Sequence, residues 1–155
     1  MTSELDIIKG LHDILVRDIN SYTSNAVEGM DDKSIVCDFP DIDNMRKPTM
    51  IYLQPNYSDY EPLTYSSDQT AYTMSIFIVA KKASSQVLQE KVFALYDAVY
   101  RLLKTNNTLD SIVAWVGVQT MDYYPALTAD AGTKGIEVSI QCVFEKDWCD
   151  GNATN

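Results

Sequence analysis

The stretch "KGIEVSIQCVFEKDW", residues 134–148, constrains this chain more than any other. Ile136, Val138, Ile140, Cys142 and Phe144 alternate with Glu137, Ser139, Gln141 and Glu145. A period of two puts the first set on one side of an extended strand and the second set on the other. Such a strand cannot bury its apolar side alone. It calls for a sheet with one face covered by helices.

Two segments supply those helices. In "SSQVLQEKVFALYDAVYRLLKTNN" (84–107), Leu88, Val92, Leu95, Val99 and Leu102 recur at steps of four, three, four and three, the stripe of a helix packed on a core. Ser84 or Ser85 can cap its start, and Asn106-Asn107 suits its end. Residues 3–20 read as a second amphipathic helix. Ser3 is its cap, Asp6 supports the first turn, and Leu5, Ile8, Leu11, Leu15 and Ile19 form the stripe; Gly10 weakens it a little.

The strands lie between and after these helices. "SIVCDF" (34–39) is a short strand, and "PDIDNMRKP" (40–48) is a loop closed by prolines. "TMIYLQP" (49–55) is a strand expected to end at Pro55. "AYTMSIFIVAKK" (71–82) is the central strand. Tyr72, Met74, Ile76 and Ile78 share one face, and Phe77 and Val79 make the other partly apolar, so both sides call for cover. "SIVAWVGVQTMDYY" (111–124) is a further strand in which Gly117 signals a bulge or a close approach. Residues 21–33 and 125–135 are turn regions. The stretch "NYSDYEPLTYSSDQT" (56–70) is polar and long, either a functional loop or the two arms of a hairpin.

The order is α-β-β-loop-β-α-β-β. The expected fold class is α+β: a single mixed, mostly antiparallel sheet with two main α-helices packed on it. One domain is expected over residues 1–149, with 150–155 a disordered polar tail.

Charge and composition exclude more than they assign. Twelve basic and 22 acidic residues give a net charge of −10, which opposes a broad nucleic-acid surface and docking on anionic lipid. No apolar run reaches the length of a membrane span. The N-terminus shows no secretory signal, and Cys37, Cys142 and Cys149 form no CxxC pair or even set, so synthesis in a reducing cytoplasm is expected. The sequons at Asn56, Asn106 and Asn152 are then chance matches. His12 is a single histidine with no partner nucleophile or ligand nearby in sequence. Asp38, Asp41 and Asp43 cluster, but the glycine and terminal glutamate of a calcium loop are missing. No phosphate loop, nucleophile elbow or zinc motif occurs. No cofactor, no metal site and no catalytic residue is expected.

Ten of the sixteen aromatic residues are tyrosines, a residue with an apolar body and a polar tip that suits interfaces. Tyr57, Tyr60 and Tyr65, with Tyr123 and Tyr124, are candidate interface aromatics; packing back on their own sheet is the alternative. The chain reads as a non-enzymatic interaction protein.

The segment order carries a resemblance. An N-terminal helix is followed by strands and a long loop. "YTMSIFIVAKK" then leads straight into "QVLQEKVFALYDAVYRLLKTNNTL", and "DYYPAL", a glycine-bearing turn and "KGIEVSIQCVFE" close the chain. Over residues 3–148 this resembles the tail terminator and tail-completion (neck) proteins of tailed bacteriophages and prophages. The resemblance implies a structural virion protein made in the host bacterial cytoplasm. It implies a homohexameric ring at the head-proximal end of the tail, touching the tail tube protein and the head–tail connector. Genomic DNA would pass through it without specific binding, with no membrane involved. Asp38, Asp41, Asp43, Asp59, Glu61 and Asp68 are then candidate ring-lumen or loop acids that repel phosphate. Two other readings stand beside it: an adjacent neck protein of the head-closure or head–tail joining type, and a small ligand-sensing α+β module.

Overall fold

The computed structural model describes residues 2–23, 27–127 and 132–147. Helix α1 spans Glu4–Asp18 and α2 spans Ser85–Thr105. The strands are β1 (Ile35–Val36), β2 (Thr49–Thr64), β3 (Ser67–Lys81), β4 (Trp115–Tyr124) and β5 (Thr133–Asp147). They form one five-stranded sheet in the order β1-β2-β3-β5-β4. The β1–β2 pair is parallel and the other three pairs are antiparallel. The fold is therefore α+β with a mixed, mostly antiparallel sheet, as the alternation in β5 demanded.

The core lies between the sheet and the two helices. Its sheet side is built from Ile51 and Leu53 of β2, Met74, Ile76 and Ile78 of β3, and all five residues of the β5 stripe, Ile136 to Phe144. Cross-strand partners such as Ile76–Val138 and Ile78–Ile136 share this face, so burial on one strand reinforces burial on the next. The α2 stripe Leu88, Val92, Leu95, Val99 and Leu102 is buried against it.

The expected α1 stripe needs correction. Ser3 and Asp6 form a reciprocal capping box, with Asp6 N donating to Ser3 Oγ at 3.2 Å and Ser3 N to Asp6 Oδ2 at 2.9 Å. Leu11, Leu15 and Ile19 of the expected stripe are buried and Ile8 packs against the core, while Ile7 and Ile14 complete the buried face. Leu5 is 58% exposed. A 3.6-residue period lets either Leu5 or Ile7 join this stripe, and the position of the sheet selects Ile7.

The long loop expected over 56–70 is two paired strands. β2 and β3 run together to the Thr64–Ser67 turn, with a bulge at Asn56, which realises the hairpin alternative. Pro55 does not end the strand. Its partner is Met74, and that of Pro62 is Asp68, on the same rung parity as Ile51–Ile78. The Ile51 amide points away from β3, to Ser34 O at 2.8 Å. Both prolines thus lack an N–H where it would face the open edge, and the β2–β3 ladder loses nothing.

Two other strands are shorter than expected. Only Ile35–Val36 of 34–39 is strand, and 111–114 precedes β4. There Leu109, Asp110 and Ser111 adopt positive φ of 49°, 56° and 71°. Asn106 holds this turn, accepting from Asp110 N at 2.9 Å and donating Nδ2 to Asp110 Oδ1 at 2.8 Å. Leu109 is buried beneath it. Residues 128–131 of the 125–135 turn, and the proposed tail 150–155, lie outside the described residues.

The second sheet face is covered only at one end. Met45 and Ile42 of the 40–48 loop pack there on Met50, Tyr52, Phe77 and Val79, which meets the expectation that both sides of β3 need cover. Beyond that end, no described helix lies on this face.

Candidate interaction surface

The uncovered sheet face is built from alternate strand positions. Its rungs are read directly from the register. Gln54 and Ser75 begin it, followed by Tyr57–Thr73–Gln141–Gly117, then Asp59–Ala71–Val143–Trp115, then Glu61–Gln69–Glu145, and last Thr64–Ser67–Asp147. Toward the covered end stand Glu137 and its cross-strand neighbour Asp122. Asp59, Glu61, Glu145, Asp147, Glu137 and Asp122 therefore lie on one face. Among the described residues, the base at a strand position there is Lys81, at the far end, and its ammonium donates to Ile42 O at 3.1 Å.

This acidity reaches the side chains around it. Glu137 accepts from Ser75 Oγ and Tyr124 OH, each at 3.0 Å, and Asn56 Nδ2 donates to Ser75 Oγ at 2.8 Å. The hydrogen bond to Glu137, with partial burial and nearby Asp122, holds the Tyr124 phenol above its usual pKa.

The six candidate acids do not converge. Asp38, Asp41 and Asp43 lie in the loop at the covered end; Asp38 and Asp41 line a depression of about 450 Å³ with Phe39, Arg46, Met50 and Tyr52. Asp41 is engaged by Asn44 Nδ2 at 3.1 and 3.2 Å. Asp59 and Glu61 stand on the uncovered face at the opposite end of the sheet, beside a depression of about 300 Å³ floored by Ala71 and Val143. Asp68 belongs to the helix-covered face, on the rung of Lys146.

The candidate aromatics are also dispersed. Tyr57 is exposed on the uncovered face, and Tyr65 at the hairpin turn is 90% exposed. Tyr60 points to the helix side, where its hydroxyl donates to Glu4 Oε2 at 2.6 Å. Tyr123 packs its ring 5.2 Å from that of Phe93 on α2. Tyr124 is turned to Glu137.

Trp115 was not singled out from the sequence. Its ring lies along β4 over Gly117, where a Cβ would sit 2.3 Å from Trp115 Cη2. The ring remains 48% exposed. The signal was present: a glycine two positions from a tryptophan on a strand shares its face and leaves room for the ring. Phe39 and Leu63 are further exposed apolar residues that sequence reasoning passed over.

One cluster has the composition of a catalytic site without its geometry. Lys9, His12, Asp13 and Cys37 line a shallow hollow. His12 Nε2 faces Ile35 O at 3.0 Å and Nδ1 faces Asp13 Oδ1 at 3.0 Å, so both ring nitrogens are engaged away from a thiol. Burial and the Asp13 charge push the Cys37 thiol pKa up, away from the reactive thiolate.

No family model matches the chain, and no curated protein matches it. Among solved structures, it is similar to a chain in the virion of a native gene transfer agent particle, with 8% identity and a TM-score of 0.43. That match covers 73% of this chain and 79% of the other. It is also similar to a sheath/tube terminator of an extracellular contractile injection system in the extended state, with 12% identity and a TM-score of 0.46. There the match covers 95% of this chain and 58% of the other, so the chain spans little more than half of that relative.

Proposed function

We propose that this protein is a structural virion subunit that assembles as a ring at the head-proximal end of a phage-type tail, ending tube growth and meeting the head connector. It acts without catalysis or cofactor, and its place is the tail or neck of a particle assembled in the bacterial cytoplasm. The reading rests on the resemblance in segment order and on one structural observation: the sheet is open at both outer edges. β2 has no described neighbour on its outer side beyond Tyr52, and β4 has none along most of its length. Two unlike open edges on opposite sides of one sheet favour head-to-tail contacts, which close into rings when the rotation permits. Pro55 and Pro62 remove donors from the β2 edge, so contacts there run mainly through side chains.

In such a ring the loop acids Asp38, Asp41 and Asp43 suit a lumen rim that DNA passes without sticking. A ligand-sensing module would instead need an enclosed apolar pocket. The three hollows described among these residues are each lined in part by charged residues.

The test is light scattering across a concentration series, with negative-stain images and binding to purified tube ends. A ring of about six subunits, in solution or on a tube end, is expected. A compact monomer or dimer that ignores tube ends and melts higher with a small ligand would overturn the reading.

A further inference from the structure

The uncovered face of the sheet is shaped, and its features combine into one recognition surface. On the rung Tyr57–Thr73–Gln141–Gly117, Tyr57 flanks one side and the Trp115 ring, lying over Gly117, flanks the other. Three strand spacings separate these flanks, about 14 Å, room for an extended segment or a helix. The floor between them is made by Thr73 and Gln141 on one rung and Ala71 and Val143 on the next. At one end the trough runs into Asp59, Glu61 and Glu145.

Two observations say that this trough is a site and not merely a solvated face. Thr73 is 4% exposed, sits on this face, and its Oγ1 has no hydrogen-bonding partner; Gln54 Oε1 beside it is also buried and unpaired. A buried polar atom without a partner is unfavourable, a cost that a docked donor removes once the side chains over it part. The exposed aromatics stand beside carboxylates, and among the described residues no base in the trough neutralises them.

We infer that this trough docks an arginine-bearing segment of a partner protein. A guanidinium is planar, so one arginine of such a segment donates in a fork to carboxylates such as Asp59 and Glu61 on the β2 side, while another stacks on the exposed Trp115 indole on the β4 side. The segment's own amides meet the Thr73 hydroxyl and the Gln54 carbonyl once the side chains that cover these atoms part. Nucleic acid is the wrong chemistry here, because the face offers phosphate six carboxylates and, among the described residues of the trough, no cation. The trough is a feature of the single chain, so the inference stands apart from ring formation.

The experiment uses the full chain and a fluorescein-labelled synthetic peptide of alternating arginine and serine, read by anisotropy at low and moderate salt. Saturable binding is expected, weakened about tenfold or more by Trp115→Ser and by the pair Asp59→Asn with Glu61→Gln. The pair Asp41→Asn with Asp43→Asn removes the same charge at the other end of the sheet and is expected to change affinity less than about twofold. Circular dichroism melting confirms that each variant is folded, and Trp115→Phe, which keeps an aromatic face, retains part of the binding. Equal weakening by the two acid pairs would reduce the effect to net charge and overturn the inference. So would an unaffected Trp115→Ser, a citrulline peptide that binds as well as the arginine one, or no saturable binding. Each of these outcomes leaves the ring measurement untouched.

Discussion

The Glu4 carboxylate accepts a hydrogen bond from the Lys146 ammonium at 2.7 Å, tying the first turn of α1 to the end of the last strand. Its other oxygen accepts from Tyr60 OH at 2.6 Å and Ser58 Oγ at 3.0 Å. One carboxylate thus joins three elements that are far apart in the chain, and it fixes the β2–β3 hairpin against the body.

Glu4 gives the first prediction. Burial alone would raise its pKa, but the bonds from Lys146, Tyr60, its own backbone and Ser58 outweigh burial and lower it from 4.5 to about 2. A depressed folded-state pKa means stability that is present above pH 4.5 and lost as pH falls toward 2. Glu4→Gln is expected to cost about 1–2 kcal/mol at neutral pH, discounted because the pair is partly solvated. Urea melts of both proteins from pH 7 to pH 2 should show the gap closing across that window. A gap that stays constant with pH would refute the electrostatic account.

The phase of α1 gives the second. Ile7 is fully buried and Leu5 is not. Ile7→Ala should cost about 2–5 kcal/mol, and Leu5→Ala less than about 0.5 kcal/mol. Denaturant titration of the two single variants decides it, and equal losses would contradict the packing described.

The turn after α2 gives the third. Ser111 is exposed, has φ of 71°, and donates its amide to Thr108 Oγ1. Glycine accepts this conformation freely and keeps the amide. Ser111→Gly should therefore stabilise the protein by about 0.5–1 kcal/mol, visible as a higher melting temperature in calorimetry. A lower one would place the strain elsewhere.

Gly117 gives the fourth. A methyl group there collides with the Trp115 ring, so Gly117→Ala should cost about 1–3 kcal/mol and shift tryptophan emission to the red. Adding Trp115→Ala removes the collision, and the two effects should be strongly non-additive in a double-mutant cycle. Additive losses would mean that the ring does not depend on the glycine.

Local periodicity and cap chemistry determined much of this protein without any structure. The β5 alternation, the α2 stripe and the Ser3–Asp6 box were all legible, because each is set by neighbours a few residues apart. The order of elements followed from them. Tertiary structure decided the rest. Whether Leu5 or Ile7 joins the α1 stripe depends on where the sheet lies, and Pro55 ends a strand or not according to which way its missing N–H would point. Asp59 and Asp68 look alike in sequence yet fall on opposite faces, because the Asn56 bulge and the turn set the register. The trough between Tyr57 and Trp115 joins residues 58 positions apart through two intervening strands. No local signal encodes that distance, since it arises only when β3 and β5 pair between β2 and β4.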